Sequence, residues 1–292
     1  NARSSHSQPT PRGGGAAFVL VAVAASILSF IQVGVAGVST SAAVSLPLIV
    51  LPLIALPLAL VGFLDDRQNL PASWRYGVQV ATALALMRFS SLPLPWFALP
   101  LILVAITAVI NFTNFMDGLD GLVAGCMAVT LATACLRLPA SGPLWALVGA
   151  LFGFLLWNWS PARVFMGDVG STFLGAVLAG VLLQTPSWLD SLGLVLVATP
   201  LLGDACLCVI RRLAAGQPVF QAHRLHLYQR LHQAGWSHAR VSGLYIAATA
   251  LLALAELLAG WPLTCALAAL VLLVGVWLDR RVALPFALAS RS

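Results

Sequence analysis

Apolar stretches long enough to cross a lipid bilayer recur from Gly15 almost to the C-terminus of this chain. A helix needs roughly 20 apolar residues to cross a hydrocarbon core of about 30 Å. The stretches are continuous and lack the alternation of polar and apolar residues that marks the strands of a membrane barrel, so each span is a helix. Charged residues are 8% of the chain, against about a quarter in soluble proteins. The sequence therefore predicts an all-α, polytopic membrane helix bundle.

We predict about ten spans in one integral membrane domain that covers residues 1–292. The spans lie near 16–36, 42–63, 76–90, 95–115, 120–136, 143–159, 171–185, 190–210, 242–259 and 262–278. The connecting loops that carry polar residues lie near 1–15, 64–75, 115–120, 160–170 and 211–241. The chain starts with a polar arm and without Met, from which we expect a further N-terminal span, the eleventh, in the full-length protein.

All 15 basic residues are Arg, and their distribution predicts the orientation of the bundle. Alternate threading of the spans leaves only Arg88 and Arg137 on one side of the membrane. The other side carries Arg3, Arg12, Arg67, Arg75, Arg163, Arg211, Arg212, Arg224, Arg230, Arg240, Arg280, Arg281 and Arg291. By the positive-inside rule the Arg-rich side is cytoplasmic.

The same threading gathers scarce carboxylates at the cytoplasmic side. They are Asp65, Asp66, Asp117, Asp120 and Asp168. An acid at membrane depth costs about 2.5–3.5 kcal/mol on insertion scales, and acids brought together repel one another unless a cation joins them. Each acid could instead sit in interfacial water, but their convergence from separate segments favours a divalent metal site. The opposite side has chiefly Asp190 and Glu256, and we expect no chemistry there.

One polar string ends an apolar span. In NFTNFMDGLDGL the residues Asn111, Asn114, Asp117 and Asp120 are spaced by three, which on a helix would keep them near one side. Uncapped polar groups at the end of an apolar span favour a binding site over a solvated helix end.

Two glycine-rich strings contain further candidate site residues. In VFMGDVGSTFLG, glycines bracket Asp168, and Ser171 is predicted to cap the following span. A Gly-flanked Asp before a helix N-terminus suits Mg²⁺ beside a phosphate. PTPRGGG, with Arg12, is by itself only a loop.

The long polar loop contains AHRLHLYQRL, in which we predict His223, His226 and Arg230 on one helical face. Arg224 and Tyr228 would lie on another face. Three interpretations remain open: a zinc site, which lacks nearby cysteine or carboxylate partners in the sequence; a basic amphipathic helix on the membrane surface; and an anion clamp for a diphosphate or sugar, which we prefer. Asp204, in PLLGD, would support the site or pair with an Arg.

The five cysteines all fall inside apolar stretches, and we interpret them as small buried apolar side chains. They are Cys126, Cys135, Cys206, Cys208 and Cys265.

In combination and order, the strings resemble those of the polyprenyl-phosphate N-acetylhexosamine-1-phosphate transferases (glycosyltransferase family 4), which initiate O-antigen, teichoic acid and peptidoglycan precursors. NxxNxxDGxDGL and FMGDxGSxxLG are specific together, and the resemblance covers nearly the whole chain. It implies an enzyme that transfers a sugar-1-phosphate from a UDP-sugar to undecaprenyl phosphate and releases UMP, with Mg²⁺, or alternatively Mn²⁺, as cofactor. The site would face the cytoplasm from the bacterial inner membrane. No nucleic acid is implied, and a homodimer is left open.

The resemblance also implies roles for individual residues. Asp168 would bind Mg²⁺, Asp65 is a candidate base for the lipid phosphate, and Asp66 would lie near the metal or diphosphate. Substrate contacts are implied for Arg12, Asn111, Asn114, Asp117, Asp120, His223, Arg224 and His226, with Asp117 also a catalytic candidate. The HRLH string departs from the clustered histidines of the GlcNAc-type and MurNAc-pentapeptide-type branches. It is closer to the O-antigen branch, which handles deoxy-sugars such as N-acetylfucosamine or N-acetylquinovosamine.

Phosphotransfer of this kind needs neutralisation of oxygen charge and in-line positioning. We hypothesise direct attack by the lipid phosphate on the β-phosphorus, and a covalent aspartyl intermediate through Asp65 or Asp117 is the alternative. A transporter is the rival class, because it also uses charged residues inside a helix bundle. It predicts acids at mid-membrane and inverted repeats, neither of which the sequence shows. A non-catalytic scaffold would not need Gly-flanked acids.

Overall fold

The computed structural model describes residues 10–35, 46–139, 142–218 and 223–290, and these ranges contain helices and loops but no strand. The helices are α1 Gly15–Val35, α2 Leu46–Gln68, α3 Ala72–Arg88, α4 Leu99–Phe115, α5 Leu122–Arg137, α6 Gly142–Asn158, α7 Asp168–Leu182, α8 Trp188–Val197, α9 Thr199–Ala214, α10 Leu227–Gln233, α11 His238–Ala259, α12 Trp261–Arg281 and α13 Phe286–Ala289. A 3-10 turn, Trp96–Ala98, leads into α4. The predicted all-α fold is confirmed.

Five helical segments of the described chain are long and apolar enough to cross a membrane. They are Gly15–Gly34, Leu46–Gln68, Trp96–Phe115, His238–Ala259 and Trp261–Arg281. Helices α8 and α9 are bent by 84° and count as a sixth span if taken together, and α5, α6 and α7 are shorter apolar helices. The chain is thus a multi-pass membrane protein, and the count of about ten spans stays a prediction.

The predicted spans correspond to helices in the same order along the chain, and one predicted span is divided into two helices. The span predicted at 190–210 is broken at Ala198, because Pro200 in the first turn of α9 has no amide to donate back into α8. The prolines of α2 have a milder effect, since Pro52 and Pro57 lie within one continuous helix. Residues 36 and 42–45 of two predicted spans lie outside the described residues.

Helix α7 forms the centre of the bundle. Every residue from Val169 to Leu182 is buried, and the helix packs against α2 and α4 over much of its length. A helix that is apolar on all sides and surrounded by protein need not match the thickness of the bilayer. Its first residue, Asp168, is therefore held at the end of a helix that is enclosed by protein.

The opposite end of the bundle carries an ion cluster. Arg137, at the end of α5, lies 3.3 Å from Oε1 of Glu256 in α11 and 3.5 Å from Oδ1 of Asp190 in α8. Glu256 is buried and also accepts a hydrogen bond from the Thr264 hydroxyl. The two acids expected to be inert at this face thus share a cation that links α5, α8 and α11.

We expect Arg137→Met to destabilise the protein, because it leaves the buried Glu256 carboxylate without a cation. An unsatisfied buried charge costs about 1–3 kcal/mol or more. Thermal unfolding in detergent should show a lower midpoint for this variant. Adding Glu256→Gln to Arg137→Met should recover much of the loss, and no recovery would contradict the pairing.

Candidate active site

Three segments bring carboxylates together at the end of the bundle where α2 and α4 end and α7 begins. Val169 N donates to Oδ2 of Asp66 at 3.4 Å, which joins the end of α2 to the start of α7. The Asn114 side chain, from the last turn of α4, hydrogen-bonds Asp168. Asp117, in the turn after α4, accepts from the Gly167 amide. Four of the predicted site residues therefore share one site.

Two glycines make this convergence possible. A Cβ on Gly62 would lie 2.5 Å from the Asp168 carbonyl carbon, so α2 reaches the start of α7 only because this residue has no side chain. Gly167 has φ +76, and a Cβ there would lie 2.5 Å from Oδ2 of Asp66. Only glycine adopts that conformation at low cost. The backbone thus forces the carboxylates of Asp66 and Asp168 to be neighbours.

Asp65 has a different setting from its neighbour. Its Oδ1 accepts from Leu70 N at 2.6 Å and its Oδ2 from Arg75 Nη1 at 2.7 Å. Arg75 also lies 3.8 Å from Oδ2 of Asp168. Both oxygens of Asp65 are therefore engaged. Asp65 is also part of the cluster, since its side chain contacts Asp168, and it holds Arg75 there.

The carboxylates of the cluster are close enough to repel one another. Burial and, to a smaller extent, the nearby carboxylates of Asp168 and Asp66 together raise the pKa of Asp117 to about 8, although Arg12 and the Gly167 amide act in the opposite direction. Like charges held this close cannot all ionise without a compensating cation. Asp66, Asp117 and Asp168 supply the oxygen donors that Mg²⁺ or Mn²⁺ prefers, so the donor set fits such an ion.

The glycine-rich arm is part of the site. Gly14 N donates to Phe165 O and Gly15 N to Met166 O, each at 3.0 Å, and Phe165 N donates to Pro11 O at 2.9 Å. These bonds pair the arm with the segment before Asp168. The exposed Arg12 therefore lies at the edge of the acid cluster.

Two predicted site residues are engaged elsewhere. Asn111 exchanges side-chain hydrogen bonds with Gln79 of α3. Oδ2 of Asp120 accepts a hydrogen bond from Ala162 N at 3.1 Å and lies 3.2 Å from Nδ1 of His238. The prediction that the four polar residues share one side of a helix is wrong, because α4 ends at Phe115 and the segment after it is a turn.

The predicted cap of α7 is also wrong. The helix begins at Asp168, three residues before Ser171, so the Ser171 hydroxyl lies inside the first turn and donates to Gly167 O at 3.2 Å. No side chain caps this helix. Its first amides therefore face the acid cluster, where Val169 N already contacts Asp66.

The histidine-containing loop packs beside the end of α4. Helix α10 begins only at Leu227, so His223 and His226 lie before it and do not share a helical face with Arg230. The Tyr228 hydroxyl donates to Phe115 O at 3.0 Å, and the His226 ring lies 6.4 Å from the Phe115 ring. This places the loop next to the segment that carries Asn114.

Helix α10 is not an amphipathic helix lying on the membrane surface. Residues 228–231, which make up most of this seven-residue helix, are buried in the protein. Arg230 hydrogen-bonds Leu225 O and Leu284 O and pairs with Asp279, so it stabilises the loop rather than facing a ligand. Arg224 remains exposed.

Asp204 holds this loop in place. Its carboxylate accepts from Leu227 N at 2.8 Å, from Tyr228 N at 3.1 Å and from the Tyr245 hydroxyl at 2.7 Å. It thus caps the start of α10 from inside α9. The sequence marked Asp204 only as an acid within an apolar span. Its hydrogen-bond partners could not be predicted locally, because they lie 23 to 41 residues away in sequence.

The sequence of the chain is similar to those of known transferases. Residues 48–185 match the model of glycosyl transferase family 4. The chain is 30% identical over 268 residues to a probable undecaprenyl-phosphate N-acetylglucosaminyl 1-phosphate transferase of Bacillus subtilis, covering 84% of this chain and 71% of the relative. It is 30% identical to a decaprenyl-phosphate N-acetylglucosaminephosphotransferase of Mycolicibacterium smegmatis (82% and 69% covered). It is 39% identical over 186 residues to a phospho-N-acetylmuramoyl-pentapeptide-transferase of Synechococcus sp. (59% and 53% covered).

The fold and the acid cluster define a multi-pass membrane protein with an oxygen-rich site at one end of its helix bundle. The chain belongs to glycosyl transferase family 4, the polyprenyl-phosphate hexosamine-1-phosphate transferase family.

We expect Gly62→Ala to weaken divalent-cation binding by about 10-fold or more, because the added methyl group would push Asp168 away from Asp66. Misorientation of ligating groups has effects of about 10- to 100-fold on metal affinity. Binding can be followed with Mn²⁺ by electron paramagnetic resonance. Gly77→Ala is the matched control, since its Cβ would meet no atom within 4 Å. Equal binding by both variants would contradict the close contact.

Proposed function

We propose that this protein transfers a sugar-1-phosphate from a UDP-linked N-acetylated hexosamine or deoxyhexosamine to undecaprenyl phosphate, with release of UMP. The observation that carries this proposal is the convergence of Asp66, Asp117 and Asp168 from three segments at one end of the bundle. The names of the relatives support the lipid acceptor and the reaction type.

Asp66, Asp117 and Asp168 would hold a Mg²⁺ ion, for which Mn²⁺ could substitute. When bound, the ion would neutralise phosphate oxygens that develop charge during transfer. Burial and the neighbouring carboxylates of Asp168 and Asp66 raise the pKa of Asp117, and a bound cation would offset the repulsion among the three acids.

The remaining side chains of the site orient the substrates. Arg12, exposed at its edge, would hold the lipid phosphate or the sugar, and Arg75, fixed by Asp65, offers a second cation toward the diphosphate. A guanidinium forms paired hydrogen bonds with phosphate oxygens. Asn114, hydrogen-bonded to Asp168, keeps that carboxylate in place.

We favour direct transfer. An oxygen of the lipid phosphate attacks the β-phosphorus of the UDP-sugar, a new P–O bond forms, and the bond from the β-phosphorus to the bridging oxygen breaks as UMP leaves with that oxygen. Asp117 lies in the acid cluster, where a carboxylate oxygen that does not bind the ion would accept the proton of a singly ionised lipid phosphate. Asp65 suits a base or nucleophile less well, since both its oxygens accept hydrogen bonds.

The setting of the reaction is the cytoplasmic face of the bacterial inner membrane, in the first membrane step of O-antigen synthesis. The Arg distribution supports the cytoplasmic face. The loop with His223, Arg224 and His226 lies beside α4 and would contact the sugar or diphosphate, and its HRLH string supports a deoxy-sugar donor of the O-antigen branch. A transporter is not favoured, because the clustered acids lie at the ends of helices.

The test is UMP release by the purified protein in detergent with undecaprenyl phosphate, Mg²⁺ and a panel of UDP-sugars that includes N-acetylated hexosamines and their 6-deoxy forms. We expect turnover with at least one donor and the best rate with a deoxy-sugar. Turnover with no donor would contradict the proposed activity.

We expect Asp168→Asn to lower the rate of UMP release by about 100-fold or more, because the variant loses a charged ligand in the cluster. Asp190→Asn is the control, since Asp190 is an acid at the opposite end of the bundle and should retain most activity. Full Mg²⁺-dependent activity of Asp168→Asn would refute the metal assignment.

A further inference from the structure

A second group of metal-ligating side chains lies outside the acid cluster. The ligand atoms of Cys208, His223 and His226 all lie within 4.8 Å of one another. Cys208 comes from α9, whereas the two histidines come from the loop before α10. The sequence disfavoured zinc here because no cysteine is close to the histidines along the chain, but the fold supplies one.

We propose that Cys208, His223 and His226 form a binding site for Zn²⁺ that is separate from the carboxylate site. A thiolate and two imidazoles are the ligands that zinc prefers, and three protein ligands leave a fourth position for water. The acid cluster offers only oxygen donors, which suit Mg²⁺ instead. The two sites therefore differ in the softness of their ligands and would select different ions.

The geometry is close to that of a zinc site. With bonds of about 2.0 Å to nitrogen and 2.3 Å to sulfur, tetrahedral ligand atoms lie roughly 3.3–3.8 Å apart. The ligand atoms here would need to approach by about 1 Å. The His223 and His226 rings are already stacked, with centroids 4.9 Å apart. The backbone of His226 is held at the start of α10, where its carbonyl accepts from Arg230 N at 3.0 Å, so the approach requires rotation of the side chains and movement of His223, which precedes the helix.

One carboxylate beside the site also suits a bound cation. Oδ1 of Asp204 lies 3.9 Å from Nδ1 of His226, where a small rotation of the ring would let it orient the imidazole, as carboxylates do behind many zinc ligands. Cys208 and His226 are buried, which protects the metal bonds from water, and the partly exposed His223 gives the ion a way in. Cys208 also lines a cavity of about 260 Å³ between α9, α11 and α12.

A Zn²⁺ ion bound at this site would cross-link the loop to α9. Because His223 and His226 are also the side chains that we assign to the sugar or diphosphate, bound Zn²⁺ would withdraw them from substrate. Zn²⁺ should then inhibit transfer. This consequence rests on the proposed function, whereas the metal site itself does not.

The direct test uses Co²⁺ as a spectroscopic substitute for Zn²⁺ in the metal-free, purified full chain. A thiolate bound to Co²⁺ gives a near-ultraviolet charge-transfer band. We expect this band in the unmodified protein and in Cys206→Ser, and its loss in Cys208→Ser. Cys206 is a matched control, since it lies two residues away on the same helix but is exposed. Added Zn²⁺ should abolish the band, and added Mg²⁺ should not.

Zinc affinity gives the second readout. Cys208→Ser should weaken Zn²⁺ binding by about 100-fold or more, since even the loss of an outer-shell partner costs about 10- to 100-fold. Cys208→Val replaces it if the Ser variant does not fold, and His223→Ala should weaken binding as well. Absence of the band in the unmodified protein, or its survival in both Cys208 variants, would overturn the proposal.

The two proposals can fail separately. Asp168→Asn should lose UMP release but keep the cobalt band and the zinc affinity. Zn²⁺ should inhibit the unmodified protein and Cys206→Ser, and should have little effect on Cys208→Ser. Zinc binding without inhibition would confirm the site and reject the role of the histidines in transfer.

Discussion

The structure depends on the close approach of three carboxylates that would otherwise repel one another. Asp66, Asp117 and Asp168 come from separate segments, and the backbone leaves them little room to part, because Gly62 packs directly on Asp168. Burial raises the pKa of Asp117, and the carboxylates of Asp168 and Asp66 act in the same direction. A fold that keeps like charges together in this way is suited to a multivalent cation and an anionic substrate.

Two features of the bundle fix the acid cluster and the histidine-containing loop beside it. The first is the burial of α7, which places Asp168 at the end of a helix enclosed by protein. The second is the polar network around Asp204, which holds the start of α10 and, through Tyr228, the loop beside α4. The acid cluster and the histidine loop are thus fixed by different parts of the fold, although they lie next to the same helix.

Hydropathy and local motifs predicted most of the fold and the centre of the site. The helices follow from apolar length alone, and the Gly-flanked Asp168 and the end of α4 were recognisable because their signals are contained in short strings. The predictions that were wrong depended on where individual helices begin and end. Asp120 does not share a helix face with Asn111 because α4 ends at Phe115. Ser171 does not cap α7 because that helix already begins at Asp168. Contacts between distant segments, such as Cys208 with His226, leave no local pattern in a sequence.

The position of a bound divalent ion would test the carboxylate site directly. Anomalous diffraction from crystals of the protein grown with Mn²⁺ should give a peak about 2 Å from carboxylate oxygens of Asp168 and of Asp66 or Asp117. A Mn²⁺ peak away from these carboxylates, or none among them at saturating Mn²⁺, would contradict the account.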